Sequence, residues 1–160
     1  MQLNTKKGFS LVELMVVIGI VGVLLSVAVF NLQRYTNNTN LKNMARDIAS
    51  DYQKCKAKAV SESRIYYMVF SAGTSSRYWI YSLATASHPL VLTQKLSSDY
   101  GSSIQIQSAS FTGGPWVNWI QFETRGTSST GTVVLTNSIA SKATIKSNVT
   151  GKAYVTFDMK

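Results

Sequence analysis

The sequence contains few of the residues from which catalytic centres and cross-links are built. Its 160 residues include one cysteine, Cys55, and one histidine, His88. A lone cysteine excludes an internal disulfide and a cysteine-rich zinc site, and a lone histidine leaves little for acid–base catalysis. Because no phosphate-binding loop, metal-ligand set or nucleophile motif is present either, we predict that the chain is not an enzyme and needs no cofactor.

Acidic residues are also scarce, with seven Asp and Glu against sixteen Lys and Arg. The rest of the composition is ordinary, with 45% hydrophobic and 11% aromatic residues, which argues against disorder. The length suits one compact domain with an appendage better than two full domains.

The apolar residues are concentrated near the N-terminus. Residues 14–30 carry no charge and would form about 25 Å of helix, which reaches bilayer thickness once the apolar neighbours are added. Lys6 and Lys7 precede this run and favour a cytoplasmic N-terminus. Three interpretations compete: a secretory signal peptide with a small-residue cleavage site at residues 26–28, a plain membrane anchor, or an anchor whose one charged residue has a function.

Glu13 favours the third interpretation. A carboxylate near the start of a membrane helix costs about 1–3 kcal/mol, and neither a signal peptide nor a plain anchor gains anything from it. An ionisable residue inside a membrane is a functional hypothesis by default, with a partner to be found.

Glu13 also belongs to a longer pattern. Residues 6–14 read KKGFSLVEL, so that two lysines, Gly8, Phe9 and then Glu13 precede an unbroken apolar run. This string resembles the class III signal of type IV prepilins and pseudopilins. The resemblance implies that prepilin peptidase cuts between Gly8 and Phe9, that the new Phe9 amine is methylated, and that Glu13 pairs with the Phe9 amine of a neighbouring subunit.

The same resemblance implies a location and partners. The protein would lie in the bacterial inner membrane as a single-pass protein, with a cytoplasmic N-terminus and a periplasmic globular domain, before it joins a pilus or pseudopilus. Its partners would be prepilin peptidase, the inner-membrane assembly platform, and other pilins or pseudopilins through the N-terminal helix.

The helix is predicted to continue beyond the membrane. Apolar residues separated by three or four positions indicate one helical face that docks on a sheet: Leu41, Met44, Ala45, Ile48, Tyr52, Cys55, Ala59 and Val60. The opposite face carries Lys42, Arg46, Asp47, Asp51, Lys54, Lys56 and Lys58 and is expected to face water. Residues 37–40, Asn-Asn-Thr-Asn, are poor helix formers and predict a bend or a weak point in the helix.

Short β-like runs separated by Gly, Ser and Thr follow the helix. We predict strands near residues 64–71, 78–83, 90–95, 103–110, 117–123, 132–136, 143–147 and 153–157. The expected fold is α+β and pilin-like, with a long N-terminal helix packed on an antiparallel β-sheet domain that has two sheets. The predicted parts are a leader at residues 1–8, a transmembrane and assembly helix at 9–33, its amphipathic continuation at 34–63, and a periplasmic β domain at 64–160.

The C-terminal half narrows the resemblance. A turn at residues 122–126, FETRG, a hydrophobic strand at 132–136 and a closing strand after Gly151-Lys152 are similar to the GspH/FimT group of minor pseudopilins and minor pilins. A major pilin usually carries a C-terminal disulfide loop, which a single cysteine cannot form. The resemblance therefore implies a minor subunit that helps to initiate or cap a type IV pilus or a type II secretion pseudopilus.

The basic excess supports an alternative function. From Arg34 onward there are fourteen Lys and Arg against six Asp and Glu. Arg125, Lys142, Lys146 and Lys152 could line one end of a sheet and contact phosphates, as in a FimT-like DNA receptor for natural transformation. We do not favour DNA as a partner, because the closing motif offers lysine without the arginine fork, and a solvated basic surface explains the same charges.

Four further residues have either two possible roles or none that the sequence suggests. Cys55, on the apolar helical face, is either a small buried hydrophobe or a cross-link to another subunit. Trp116 and Trp119 flank a Gly-Gly-Pro turn and either pack locally or form an exposed contact patch. We assign no role to His88.

Overall fold

The computed structural model describes residues 8–73, 75–85, 88–113 and 116–160, with the backbone alone at 27, 28, 30, 83–85, 88 and 89. Of the predicted leader, residues 1–7 lie outside the described residues. The elements in the described residues are one helix, eight strands and a short 3-10 turn at Ser97–Asp99. They are α1 Leu11–Ser61, β1 Tyr66–Ser71, β2 Arg77–Thr85, β3 His88–Leu96, β4 Gln105–Thr112, β5 Trp119–Phe122, β6 Thr130–Thr136, β7 Lys142–Ser147 and β8 Ala153–Asp158.

The chain divides into two compact units between Tyr35 and Thr36. The first half of α1 belongs to the first unit, and the second half of α1 belongs to the second unit together with all the strands.

One face of α1 supplies the helical part of the core, as predicted. Its buried residues recur every three or four positions and are Leu41, Met44, Ala45, Ile48, Tyr52, Cys55 and Ala59. Val60 was also predicted to be buried, but it is 48% exposed. One residue is 100° of rotation on a helix, so Val60 turns away from the face that buries Ala59.

The poor helix formers at residues 37–40 do not interrupt α1, which is helical throughout this segment. The low helix propensity of asparagine comes from the competition of its side chain for hydrogen bonds with the backbone. Here the amides bond to the globular unit instead. Asn37 Oδ1 accepts a hydrogen bond from Ser103 Oγ at 3.1 Å, and Asn38 Nδ2 donates to the main-chain oxygen of Lys160 at 3.0 Å.

The eight strands form two four-stranded antiparallel sheets, which confirms the predicted α+β class with two antiparallel sheets. The first sheet has the order β3-β2-β1-β5 and the second has the order β4-β6-β7-β8. The observed strands overlap all eight predicted ones and differ from them by a few residues at their ends. Alternation identified strands such as β5 and β7 well, because every second residue there is buried and the residues between them are not.

Aromatic contacts join the helix and both sheets into one core. The ring of Tyr52 on α1 meets that of Phe122 on β5 edge to face at 4.7 Å. Phe70 on β1 stacks on Tyr78 of the same sheet at 5.7 Å and on Phe111 of the second sheet at 5.8 Å. Such pairs contribute about 0.5–1.5 kcal/mol each beyond the area that they bury, so this junction holds the two sheets together.

We expect Gly131→Ala to destabilise the protein. A Cβ atom at Gly131 would lie 2.2 Å from the main-chain oxygen of Ser110 and 2.7 Å from Cα of Phe111, and neither atom can move without shifting β4. Overpacking of this kind costs about 2 kcal/mol, which thermal unfolding of the full chain in detergent would detect. Thr156→Ala on exposed β8 is the control and should unfold like the wild type. An unchanged midpoint for Gly131→Ala would contradict the close approach of β4 and β6.

Candidate assembly site at the start of the long helix

The N-terminal motif lies at the first turn of α1. Gly8, Phe9 and Ser10 precede the helix, and the side chain of Phe9 is exposed. Ser10 Oγ accepts the main-chain N–H of Glu13 at 3.2 Å, so Ser10 acts as the N-cap and Glu13 occupies the third helical position. The positive end of the helix dipole favours a carboxylate there.

The Glu13 carboxylate has no hydrogen-bond or ion-pair partner among the described residues. The dipole alone offsets a charge by a few tenths of a kcal/mol up to about 1 kcal/mol, which is at or below the cost of holding a carboxylate near the start of a membrane helix. A cation from another molecule would offset the remaining free-energy cost of the carboxylate.

The helix that carries Glu13 exposes its apolar side chains. The large hydrophobic residues described between Phe9 and Leu32 are 45 to 83% exposed. By length and composition this helix could cross a membrane. Exposed leucine, isoleucine and valine on every side of a helix require an apolar environment, which is either lipid or other apolar helices.

The basic residues predicted to form a DNA-binding surface are all exposed, but they do not form one group. Arg125 lies in the turn after β5, and Lys152 lies in the turn before β8. The two turns are in contact, since a Cβ atom at Gly151 would lie 2.6 Å from the main-chain oxygen of Gly126. Lys56 of α1 links to the second turn through a 3.0 Å hydrogen bond to a main-chain oxygen.

Lys146 and Lys142 lie on β7, four residues apart. Lys146 pairs across the strands with Tyr154, close to the turn that carries Lys152, whereas Lys142 pairs with Asp158 at the opposite end of the strand. Four residues of strand span about 13 Å. The prediction that these side chains line one end of a sheet is therefore wrong for Lys142, because Lys142 lies at the end of β7 that is far from Lys146 and Lys152.

A charged cluster that the sequence pattern did not indicate lies between α1 and the first sheet. Asp47 and Asp51 were expected to face water, yet Lys95 Nζ from β3 lies 2.7 Å from Asp47 Oδ2 and 2.8 Å from Asp51 Oδ2. Tyr78 donates to Asp51 Oδ2 at 2.9 Å, and Tyr100 donates to Asp47. The spacing of Asp47 and Asp51, one turn apart, was visible in the sequence, but their partners outside α1 are more than 25 residues away along the chain.

The cluster shifts the pKa values of its members in opposite directions. Burial opposes ionisation of Asp47, but hydrogen bonds from Lys95 and Tyr100 outweigh burial and lower its pKa below the usual value. Burial also opposes the charge on Lys95, but its bonds to Asp47 and Asp51 raise the pKa of Lys95 above the usual range. Each charged form is therefore stabilised by the other.

The structure supports the first interpretation of Cys55, that it is a small buried hydrophobic residue. Its side chain is 2% exposed. Burial, together with the charge of Asp51, raises the pKa of the Cys55 thiol to about 12. A buried thiol that stays protonated at neutral pH is a poor nucleophile, so Cys55 acts as a small hydrophobic residue and offers no accessible sulfur for a cross-link.

The two tryptophans differ. Trp119 is half-buried, and its ring contacts those of Tyr67 at 5.7 Å and Tyr81 at 6.2 Å on the outer face of the first sheet. Trp116 is 64% exposed, so the interpretation of local packing holds for Trp119 and not for Trp116. The side chain of His88 lies outside the described residues. Within those residues, no group of three or more His, Cys, Asp or Glu side chains is placed to hold a metal.

Comparison with known proteins supports the N-terminal motif and the fold. Residues 3–29 match the prokaryotic N-terminal methylation motif. No curated protein matches the chain. Among solved structures, the chain is similar to the minor pseudopilin EpsH from the type 2 secretion system of Vibrio cholerae, with 11% identity and a TM-score of 0.59 over 74% of this chain and 97% of that one. The chain is therefore pilin-like in its N-terminal motif and in its fold.

The charged cluster predicts a loss of stability in acid. Because the pKa of Asp47 is lower in the folded chain than in the unfolded chain, its stabilising effect is present above about pH 4 and is lost as pH falls through the folded value. Asp47→Asn should remove this part of the acid dependence. The measurement is the free energy of unfolding of the full chain in detergent between about pH 2 and pH 6.

Asp158→Asn is the matched control, since Asp158 is exposed and has no ion pair among the described residues. It should keep the acid dependence of the wild type. An equally steep dependence in Asp47→Asn and in the wild type would show that the cluster does not couple folding to pH.

Proposed function

We propose that this chain is a minor subunit of a pilin-like filament, either a type II secretion pseudopilus or a type IV pilus, and that it helps to start or cap assembly. The observation that carries the proposal is the Glu13 carboxylate, which has no partner among the described residues and begins a helix whose apolar side chains are exposed. The methylation motif at residues 3–29 and the shared fold support it.

Processing by prepilin peptidase comes first. Cleavage between Gly8 and Phe9 removes residues 1–8 and creates a new amine on Phe9, which is then methylated. No described heavy atom lies within 4 Å of the position where a side chain at Gly8 would begin, so this side of the backbone is open to a peptidase. Residues 9–33 hold the processed chain in the inner membrane, and the β domain at 64–160 lies in the periplasm.

Assembly then exchanges lipid for other helices. The apolar side chains between Phe9 and Leu32 lose no favourable contacts when they leave lipid, because the neighbouring subunits are equally apolar. Glu13 is the exception, since it gains a cation only when a neighbour's Phe9 amine comes within reach. This pairing would set the axial register of the subunits, because any other register leaves a carboxylate unpaired in an apolar environment.

The likeness to EpsH favours a secretion machine over a pilus, since that protein is a minor pseudopilin of a type 2 secretion system. The role of a minor subunit also agrees with the single cysteine. Major pilins usually carry a C-terminal disulfide loop, and this chain cannot form one. As a structural subunit, the protein would act through assembly and would perform no catalysis.

Gly8→Val should block processing. A branched side chain at the cleavage position restricts the backbone conformations that a tight protease cleft requires. Mass spectrometry of the purified protein from its host should show a wild-type chain that begins at methylated Phe9 and a variant that begins at Met1. Gly19→Val, at a glycine that also has open space around it, is the control and should be processed. A Gly8→Val chain that begins at Phe9 would refute the cleavage site.

Glu13→Ala should abolish incorporation into filaments while leaving the protein folded and membrane-bound. The loss of one buried ion pair corresponds to about 3–5 kcal/mol, or more than a hundredfold in incorporation. The measurement is the share of the processed subunit in the sheared filament fraction relative to the membrane fraction.

Two variants separate charge from helix capping. Ser10→Ala removes the N-cap bond to Glu13 but keeps the carboxylate, so it should assemble nearly normally. Glu13→Asp keeps the charge and should retain partial incorporation. If Ser10→Ala and Glu13→Ala fail equally, Glu13 acts through the helix end rather than through a partner.

A further inference from the structure

The first sheet has a free edge along β3. In the order β3-β2-β1-β5, β3 pairs with β2 on one side and with no described strand on the other. Natural edge strands are commonly protected by an outward-pointing lysine. Lys95, the only lysine or arginine of β3, is instead held by Asp47 and Asp51 of α1, so its charge does not protect the edge.

This edge exposes apolar side chains. Leu90, Val91 and Leu92 are 56, 52 and 39% exposed, although three consecutive large hydrophobic residues are unusual on the open edge of a sheet. Thr93 and Val91 pair with neighbouring residues of β2, which makes Leu92 an extra residue of β3 and hence a β-bulge. Bulges redirect side chains, and this one directs Leu92 to a cleft beside α1.

The cleft beside Leu92 is basic. It has a volume of about 230 Å³ and lies between α1 and the first sheet, with Lys54, Lys58 and Lys95 among the residues that line it. Lys54 and Lys95 are paired with Asp51. The Lys58 ammonium group has no hydrogen bond or ion pair to a described residue. An apolar edge strand therefore adjoins a cation that lacks a counter-ion.

Charge distinguishes between the candidate occupants. From Thr36 onward the chain has thirteen Lys and Arg against six Asp and Glu. Five of those six carboxylates already bond to other groups in the chain, namely Asp47, Asp51, Glu62, Asp99 and Glu123. A second copy would therefore offer mainly like charge, whereas an acidic partner would supply the missing counter-ion.

We propose that the free edge of β3 binds an extended acidic segment of another subunit by strand addition. The main chain of that segment would pair with β3, its apolar side chains would cover Leu90 and Leu92, and a carboxylate would reach Lys58. This inference rests on the proposed function, because the partner is taken to be a different protein of the same assembly.

The test is site-specific photo-crosslinking in the native host. The full chain carries a benzophenone amino acid at position 92 or, as a control, at Thr144 in the centre of the second sheet. We expect an adduct at position 92 at a level about tenfold above the control, which corresponds to about 1.4 kcal/mol of preferential contact. Mass spectrometry of the adduct should identify a segment of a different chain, with alternating apolar residues and at least one Asp or Glu.

Charge variants test the role of Lys58. With the probe at position 92, Lys58→Glu should reduce the adduct about tenfold, while Lys58→Arg should retain it. Both variants change the same exposed residue of α1, so circular dichroism should show unchanged folding. An adduct with lipid, with a second copy of this chain or with a segment that has no carboxylate would overturn the proposal, and so would an adduct no stronger than at Thr144.

Processing and filament fractions are followed in the same cells. If the subunit begins at Phe9 and enters the filament fraction while position 92 forms no adduct, strand addition at β3 is refuted and the assembly function stands. If the subunit is neither cut nor assembled, the proposed function itself is refuted.

Discussion

The second half of α1 packs against both sheets at once, and the stability of the globular unit depends on this packing. Its buried face meets the first sheet through Tyr52 and Phe122, while the second sheet adds residues such as Leu135 to the same core. The charged cluster of Asp51 and Lys95 closes one side of this contact. Because burial of each large side chain contributes about 1.5–3 kcal/mol, the helix cannot leave the sheets without the loss of the whole core.

One helix thus meets two different chemical requirements along its length. From Leu41 onward its apolar residues form a stripe that the sheets cover, whereas before Leu32 they cover all sides and remain exposed. The first pattern is satisfied within the chain, but the second is satisfied only by lipid or by other helices. In the proposed assembly both conditions are met in turn, and Glu13 supplies the polar interaction that an all-apolar surface lacks.

Most of the fold was predictable because the signals are local. Strands such as β7, where Ala143 and Ile145 are buried between exposed lysines, follow from simple alternation. The errors arose where a distant residue changed the outcome of a local rule. The sequence pattern placed Asp47 and Asp51 on a solvent-facing side of the helix, but in the structure Lys95 Nζ lies within 3 Å of both carboxylates. The asparagines at 37 and 38 are poor helix formers, yet they stay helical, and hydrogen bonds to Ser138 and Lys160, distant in sequence, engage their side chains.

The candidate site likewise has features that consecutive residues reveal and features that only the tertiary structure reveals. The order of Gly8, Phe9 and Glu13 is a property of consecutive residues. The placement of a charge in an apolar helix follows from it directly, and the resemblance to prepilins that it carries implies cleavage and methylation. Pairings between distant segments were decided only by the tertiary structure. It places Lys142 and Lys146 at opposite ends of β7, and beside Lys58 it leaves an edge of β3 that no described strand pairs. The reason is physical: alternation and helical period report which face of an element is buried, whereas the neighbours of that face depend on how the elements pack.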